Sequence, residues 1–179
     1  MTLSRNRLPV LLGFKLKELF KNKTFLITAF MVPLLTFAMK FAYENMLDGE
    51  LPASLLIIVL NLGVLFNLNA ISLMMPATML AKDKEKNTLR TLMTSSVNAG
   101  EYFICGVFPS FMTSLLINAA VLLISGVRLS GMDLALFFAA TALACLTSCV
   151  IGMVIGIFSK NQMASSNLVT LFMLVFMFI

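Results

Sequence analysis

The sequence contains no histidine and no tryptophan, and only 12% of its 179 residues are charged. Without histidine, the usual general base and the commonest metal ligand are missing. It also has no GxxxxGK[ST] phosphate loop, no metal-ligand pairing and no plausible catalytic triad. The chain therefore reads as non-catalytic, with no cofactor of its own. Its three cysteines all fall inside apolar runs and read as small buried hydrophobes, not as a disulfide or metal framework. The scarcity of charge excludes intrinsic disorder, which requires low hydrophobicity and high net charge.

What is present is overwhelmingly apolar. Hydrophobic residues make up 60% of the chain, with sixteen Phe and fourteen Met, against about 45–50% apolar in a typical soluble domain. The net charge of +5 resembles a nucleic-acid signal only until the charges are located. They sit in short clusters between apolar stretches, which points to the lipid bilayer as partner and to no nucleic acid. The fold class is an all-α integral membrane protein forming a single transmembrane domain over 1–179.

An apolar run of about 20 residues crosses a bilayer as a helix. Candidate spans fall at about 24–43, with Pro33 as an expected kink, and at about 53–81, 103–126, 134–158 and 163–179. The last is still apolar where the sequence stops, so the chain reads as cut within or just after its fifth span. Orientation follows from the basic residues of the short loops. Arg5, Arg7, Lys15, Lys17, Lys21, Lys23, Lys82, Lys84, Lys86, Arg90 and Lys160 fall on one side; Arg128 and a snorkelling Lys40 fall on the other. The loop after span one carries Glu44, Asp48 and Glu50. A cytoplasmic N-terminus and a multi-pass plasma-membrane location are expected.

Residues 1–23 are too basic for a signal peptide. Leu8, Leu11, Leu12, Leu16 and Leu19 recur at helical spacing among Lys15, Lys17 and Lys21. This predicts an amphipathic helix along the cytoplasmic surface, a reading compatible with an ordinary basic flank.

The loop between spans two and three, Ala81–Gly106, opens with Lys82-Asp83-Lys84-Glu85-Lys86 and continues with Leu89, Leu92 and Met93 at i, i+3, i+4. A short helix with an apolar edge and charged shoulders suits a groove on another protein. On periodicity alone, a solvated loop resting on the bilayer fits as well.

This segment resembles the cytoplasmic signature of the ABC-2 type permeases, membrane subunits of bacterial ATP-driven exporters. Glu85, Lys86, Thr88, Leu89, Leu92, Met93, Val97 and Glu101 fall in matching places, whereas Asn87 stands where Gly is usual, Arg90 where Glu is, and Ser96 where Pro is. The junction Gly152–Asn167, with Asn161 and Gln162, is similar to the family's Gly-rich helix end and Asn-Gln turn. The order of parts agrees over essentially the whole chain, although the family normally has six spans. The resemblance implies a half-unit that pairs with a second or related permease and binds separate ATP-hydrolysing subunits, which carry the ATP and Mg. It makes the region around Thr88–Ser95 the coupling helix and residues 1–23 the connecting helix. Glu85, Thr88, Leu89, Arg90, Leu92, Met93 and Glu101 become the ATPase-coupling residues.

Inside the membrane, Ser54, Asn61, Asn69 and Ser72 project within an arc of about 80° at 100° per residue. In span three, Gly106, Ser110, Ser114, Asn118 and Ser125 line one side. Polar groups are expensive in hydrocarbon, so both faces are expected to point inward. They would line a translocation path or, the favoured reading, join helices by hydrogen bonds. Asn67 lies off the stripe and receives no role. Span four carries small residues at Ala140, Ala144, Ser148, Gly152 and Gly156. This ridge suits close helix packing, within one subunit in preference to across a dimer.

The expected function is export of a small amphiphile, peptide or drug-like molecule by alternating access. Two other classes compete: an ion-coupled carrier or channel, and a membrane scaffold or immunity protein without transport activity.

Overall fold

The computed structural model describes residues 8–47, 51–89 and 98–178, and every regular element among them is helical. In chain order these are α1 (Leu8–Lys21), α2 (Lys23–Met46), α3 (Ala53–Asn67), a π-helical turn (Leu68–Leu73), α4 (Met74–Glu85), α5 (Ala99–Ser125), α6 (Gly131–Phe158) and α7 (Gln162–Phe178). The π turn joins α3 and α4 into one rod. Four segments are long and apolar enough to cross a membrane: α2, the rod Ala53–Glu85, α5 and α6. α7 has 17 residues, or about 25 Å of helix, at the lower edge of a span.

The helix surfaces confirm the environment. Phe30, Leu116, Leu123 and Leu143 are each at least 68% exposed, which would be ruinous in water and is ordinary against lipid. Several helices run past the expected boundaries: α2 reaches Met46, α4 reaches Glu85, α5 starts at Ala99 and α6 at Gly131. Lys82–Glu85, expected as loop, form the last turn of α4, and Glu101 lies inside the first turn of α5. Paired charges tolerate a helix end that hydropathy alone would terminate. α2 continues unbroken past Pro33, which is inside the helix.

Local chemistry explains the breaks. Asn22 stops α1 and caps α2, its side-chain oxygen accepting from Thr24 N at 3.1 Å. Gly126 ends α5 with φ +79°, a conformation that suits glycine. The ammonium of Lys40 lies 3.0 Å from where a Gly126 Cβ would stand. Lys40 thus sits against the C-terminal end of α5, where a cation complements the helix dipole. Asn161 Oδ1 accepts from Ala164 N at 2.8 Å and starts α7.

Two contacts set the packing of the rod. Gly152 and Gly156 of α6 meet its backbone directly: a Cβ at Gly152 would lie 2.2 Å from Leu73 O, and one at Gly156 would lie 2.8 Å from Ala77 O. Ala144 and Ser148 are half-buried and Ala140 is exposed, so the small-residue ridge is used at its glycine end. Toward α5, Asn67 Nδ2 reaches Ser114 O at 2.8 Å, Ser114 Oγ at 2.9 Å and Asn118 Oδ1 at 2.6 Å. Ser72 Oγ lies 2.7 Å from Ser114 Oγ, and Cys145 Sγ lies 3.1 Å from the same hydroxyl.

Gly152→Leu is expected to separate α6 from the rod, because the obstacle is backbone and cannot rotate away. The loss should reach or exceed the upper part of the about 1–3 kcal/mol range for overpacking. Thermal unfolding in detergent, with Leu146→Ala on the exposed face as control, checks it.

Candidate functional site

Four consecutive residues in the last turn of α4 alternate in charge, and successive side chains on a helix are about 100° apart. They therefore radiate to different neighbours. Lys82 Nζ lies 3.4 Å from Glu18 Oε1 of α1. Asp83 is buried and pairs through one carboxylate oxygen with Lys15 of α1, while also accepting from the Tyr102 hydroxyl of α5. Lys84 Nζ donates to Ile157 O at 2.5 Å and Ser159 O at 2.7 Å, at the C-terminal end of α6. Glu85 Oε2 accepts from Gln162 N at 3.1 Å, at the N-terminus of α7. The last two contacts each match a helix dipole: a cation at a C-terminus and an anion at an N-terminus. One turn of helix thus ties together α1, α5, α6 and α7.

Lys15 is the most deeply placed charge of this hub, 2% exposed. Glu18 holds it at 3.2 Å, and it stands over the Tyr102 ring, 5.1 Å from the centroid. Such an ion pair is tolerated away from water because every partner is hydrogen-bonded. Beneath it, Leu80, Tyr102 and Met153 form an apolar cluster.

The chain leaves the hub through Asn87, whose φ is +57°. Asparagine is the residue that best replaces glycine in this left-handed conformation, which accounts physically for Asn at this position. Thr88 and Leu89 follow as helix, and Leu89 packs half-buried against the apolar cluster. Arg90, Leu92 and Met93 lie outside the described residues, as do Ser95, Ser96 and Val97. Glu101 is buried and accepts from Asn98 N at 3.2 Å, making the capping box that starts α5.

The polar stripes assemble differently from their projection. Ser72, Ser114 and Asn118 meet in the buried network, whereas Ser54 and Asn61 are exposed on the chain's surface. Asn69 turns its amide back to Leu65 O at 3.0 Å. Ser110 and Ser125 are buried, and Ser110 Oγ has no partner among the described residues. The correction comes from the π turn. Five α-helical residues put Asn67 and Ser72 roughly 140° apart; i→i+5 bonding widens the turn and brings them to the same neighbour. Asn67 is thus the centre of the network, and no periodicity rule applied to the sequence marks it.

Among the described residues no group of three or more Cys, Asp or Glu side chains gathers as a metal site. Beside the hub, Glu85, Asn161, Gln162, Asn22, Thr24 and Met75 contribute to the walls of a half-open cavity of about 470 Å³.

A family model described as ABC-2 type transporter matches residues 8–179. No curated protein and no solved structure matches the chain.

Lys15→Met leaves the Asp83 carboxylate buried without its cation, a loss of about 3–5 kcal/mol. Lys15→Met with Asp83→Leu should recover most of it. A double-mutant cycle measured by unfolding in micelles gives the coupling; additive losses would show that the two charges do not act as a pair.

Proposed function

The chain belongs to the ABC-2 type transporter family, and on that premise we propose that it is a permease half-unit whose charged hub passes the motion of a separate ATPase to the membrane helices. The family is one of multi-pass membrane permeases that work with an ABC ATPase subunit. The finer reading is ours. The hub lies at the end of the bundle where Lys15, Lys82 and Lys84 gather, the end the positive-inside rule assigns to the cytoplasm. The region around Thr88–Ser95, with Leu89, Arg90, Leu92 and Met93, is read as the coupling helix that docks on the ATPase, and α1 as the connecting helix.

The observation that carries this reading is the fan of contacts from Lys82–Glu85. A push on the segment leaving Asn87 enters the one turn of helix that is bonded to α1, α5, α6 and α7 together. Nothing in such a device requires a catalytic group on this chain. ATP and Mg²⁺ belong to the partner, and the reorientation is alternating access with export of a small amphiphile, peptide or drug-like molecule. Ser54 and Asn61, polar and exposed on a span, need a polar neighbour in the membrane. They are assigned to a translocation path or to the contact with a second half-unit.

An ion-coupled carrier would place ionisable residues midway along its spans. Among the described residues, the buried charges Lys15, Asp83 and Glu101 all belong to the charged end. A scaffold would bind without stimulating ATP hydrolysis, so the same experiment addresses all three classes.

Co-purification of the full chain with its ATP-binding subunit, and hydrolysis that depends on the chain, are expected. Leu92→Asp should abolish both while leaving membrane insertion intact. Unchanged capture of the ATPase by that variant would remove the docking assignment.

A further inference from the structure

Most charge at the hub is matched, but the outer side of α1 is not. A groove of about 410 Å³ is lined there by Phe14, Lys17, Glu18, Lys21, Asn22 and Lys82. Three ammonium groups meet one carboxylate, and that carboxylate is already divided between Lys15 at 3.2 Å and Lys82 at 3.4 Å. Lys17 and Lys21 are exposed and make no ion pair among the described residues. The groove therefore presents an excess of two positive charges to whatever fills it.

Its depth narrows the choice of occupant. Asn22 lines the groove and is the residue before α2, so the lysines stand where the chain enters the apolar layer. Phe14 and Phe20 beside them are 56% and 53% exposed. Aromatic rings next to lysines on an amphipathic helix match the boundary between headgroups and acyl chains.

We propose that this groove holds the phosphate of an anionic phospholipid. Lys17 and Lys21 supply the charge-assisted hydrogen bonds, Lys82 is shared between the phosphate and Glu18, and Phe14 lies against the glycerol and the upper acyl chains. An anion here takes over part of the neutralisation of Lys82 and leaves Glu18 to Lys15, which tightens the joint between α1 and α4. The proposal requires a bilayer and not an ATPase, so it stands or falls separately from the transport reading.

The test uses the purified full chain in mixed micelles with equal amounts of phosphatidylglycerol and phosphatidylcholine, with retained lipid counted by native mass spectrometry. The wild type should keep one phosphatidylglycerol in preference to phosphatidylcholine. At about fivefold for each lysine near an anionic headgroup, Lys17→Gln with Lys21→Gln should weaken that preference about thirtyfold. Lys17→Arg with Lys21→Arg should keep it. A second measurement needs no variant: retention by the wild type should fall as salt rises from about 0.1 to 1 M. Equal retention of the two lipids, or salt-independent retention, overturns the proposal. So does a glutamine variant that keeps phosphatidylglycerol like the wild type; if that variant also loses capture of the ATP-binding subunit, the groove belongs to an acidic protein surface instead.

Discussion

A charge removed from water must be met by another charge or by aligned dipoles, and at the end of α4 the buried Asp83 stands among three less deeply placed charges. Lys15 and Asp83 satisfy the rule with each other and with Glu18 and Tyr102. Lys84 and Glu85 satisfy it with the ends of two helices. Because each side chain has a different direction around the turn, one short sequence fastens four helices at once. The arrangement is demanding, since removing one partner strands the others in a poorly polarisable setting.

Deeper in the bundle, the same problem is solved with neutral groups. Lipid offers no competing hydrogen bonds, so the amide of Asn67 and the hydroxyls of Ser72 and Ser114 find one another. In membranes such contacts typically contribute about 0.6–2 kcal/mol. The π turn makes the convergence possible, and Gly152 and Gly156 of α6 let that helix touch the backbone of the same rod. Polar atoms shared with α5 and bare backbone against α6 add to the apolar packing of Leu60 on Val121 and Leu122, and of Leu80 on Met153.

These two levels divide the mechanical roles within the bundle. The buried network and the glycine contacts keep the helices in register, and the hub links their ends to the segment that departs through Asn87. The proposed transport, driven from outside the chain, needs such a connection, because force applied to a solvated loop would be dissipated in the loop. The half-buried placement of Leu89 against Leu80, Tyr102 and Met153 continues the connection by packing alone.

Membrane residence and helical class were legible in the sequence because hydrocarbon admits few alternatives: apolar runs of about 20 residues must be helices. The family was legible too, through Glu85, Leu89, Glu101 and the Asn161-Gln162 turn in register with the spans. The small-residue ridge could be seen, though not which of its members would touch backbone. Tertiary structure alone decided the partners of the charges. Asp83 and Lys15 are 68 residues apart, and no local pattern states which cation will meet which carboxylate. It also decided the role of Asn67, since periodicity assumes a uniform 100° step and the π turn breaks that step where the polar residues converge. Hydrophobicity is a property each residue carries along the chain, whereas a buried hydrogen bond exists only when two distant residues have been brought to one place.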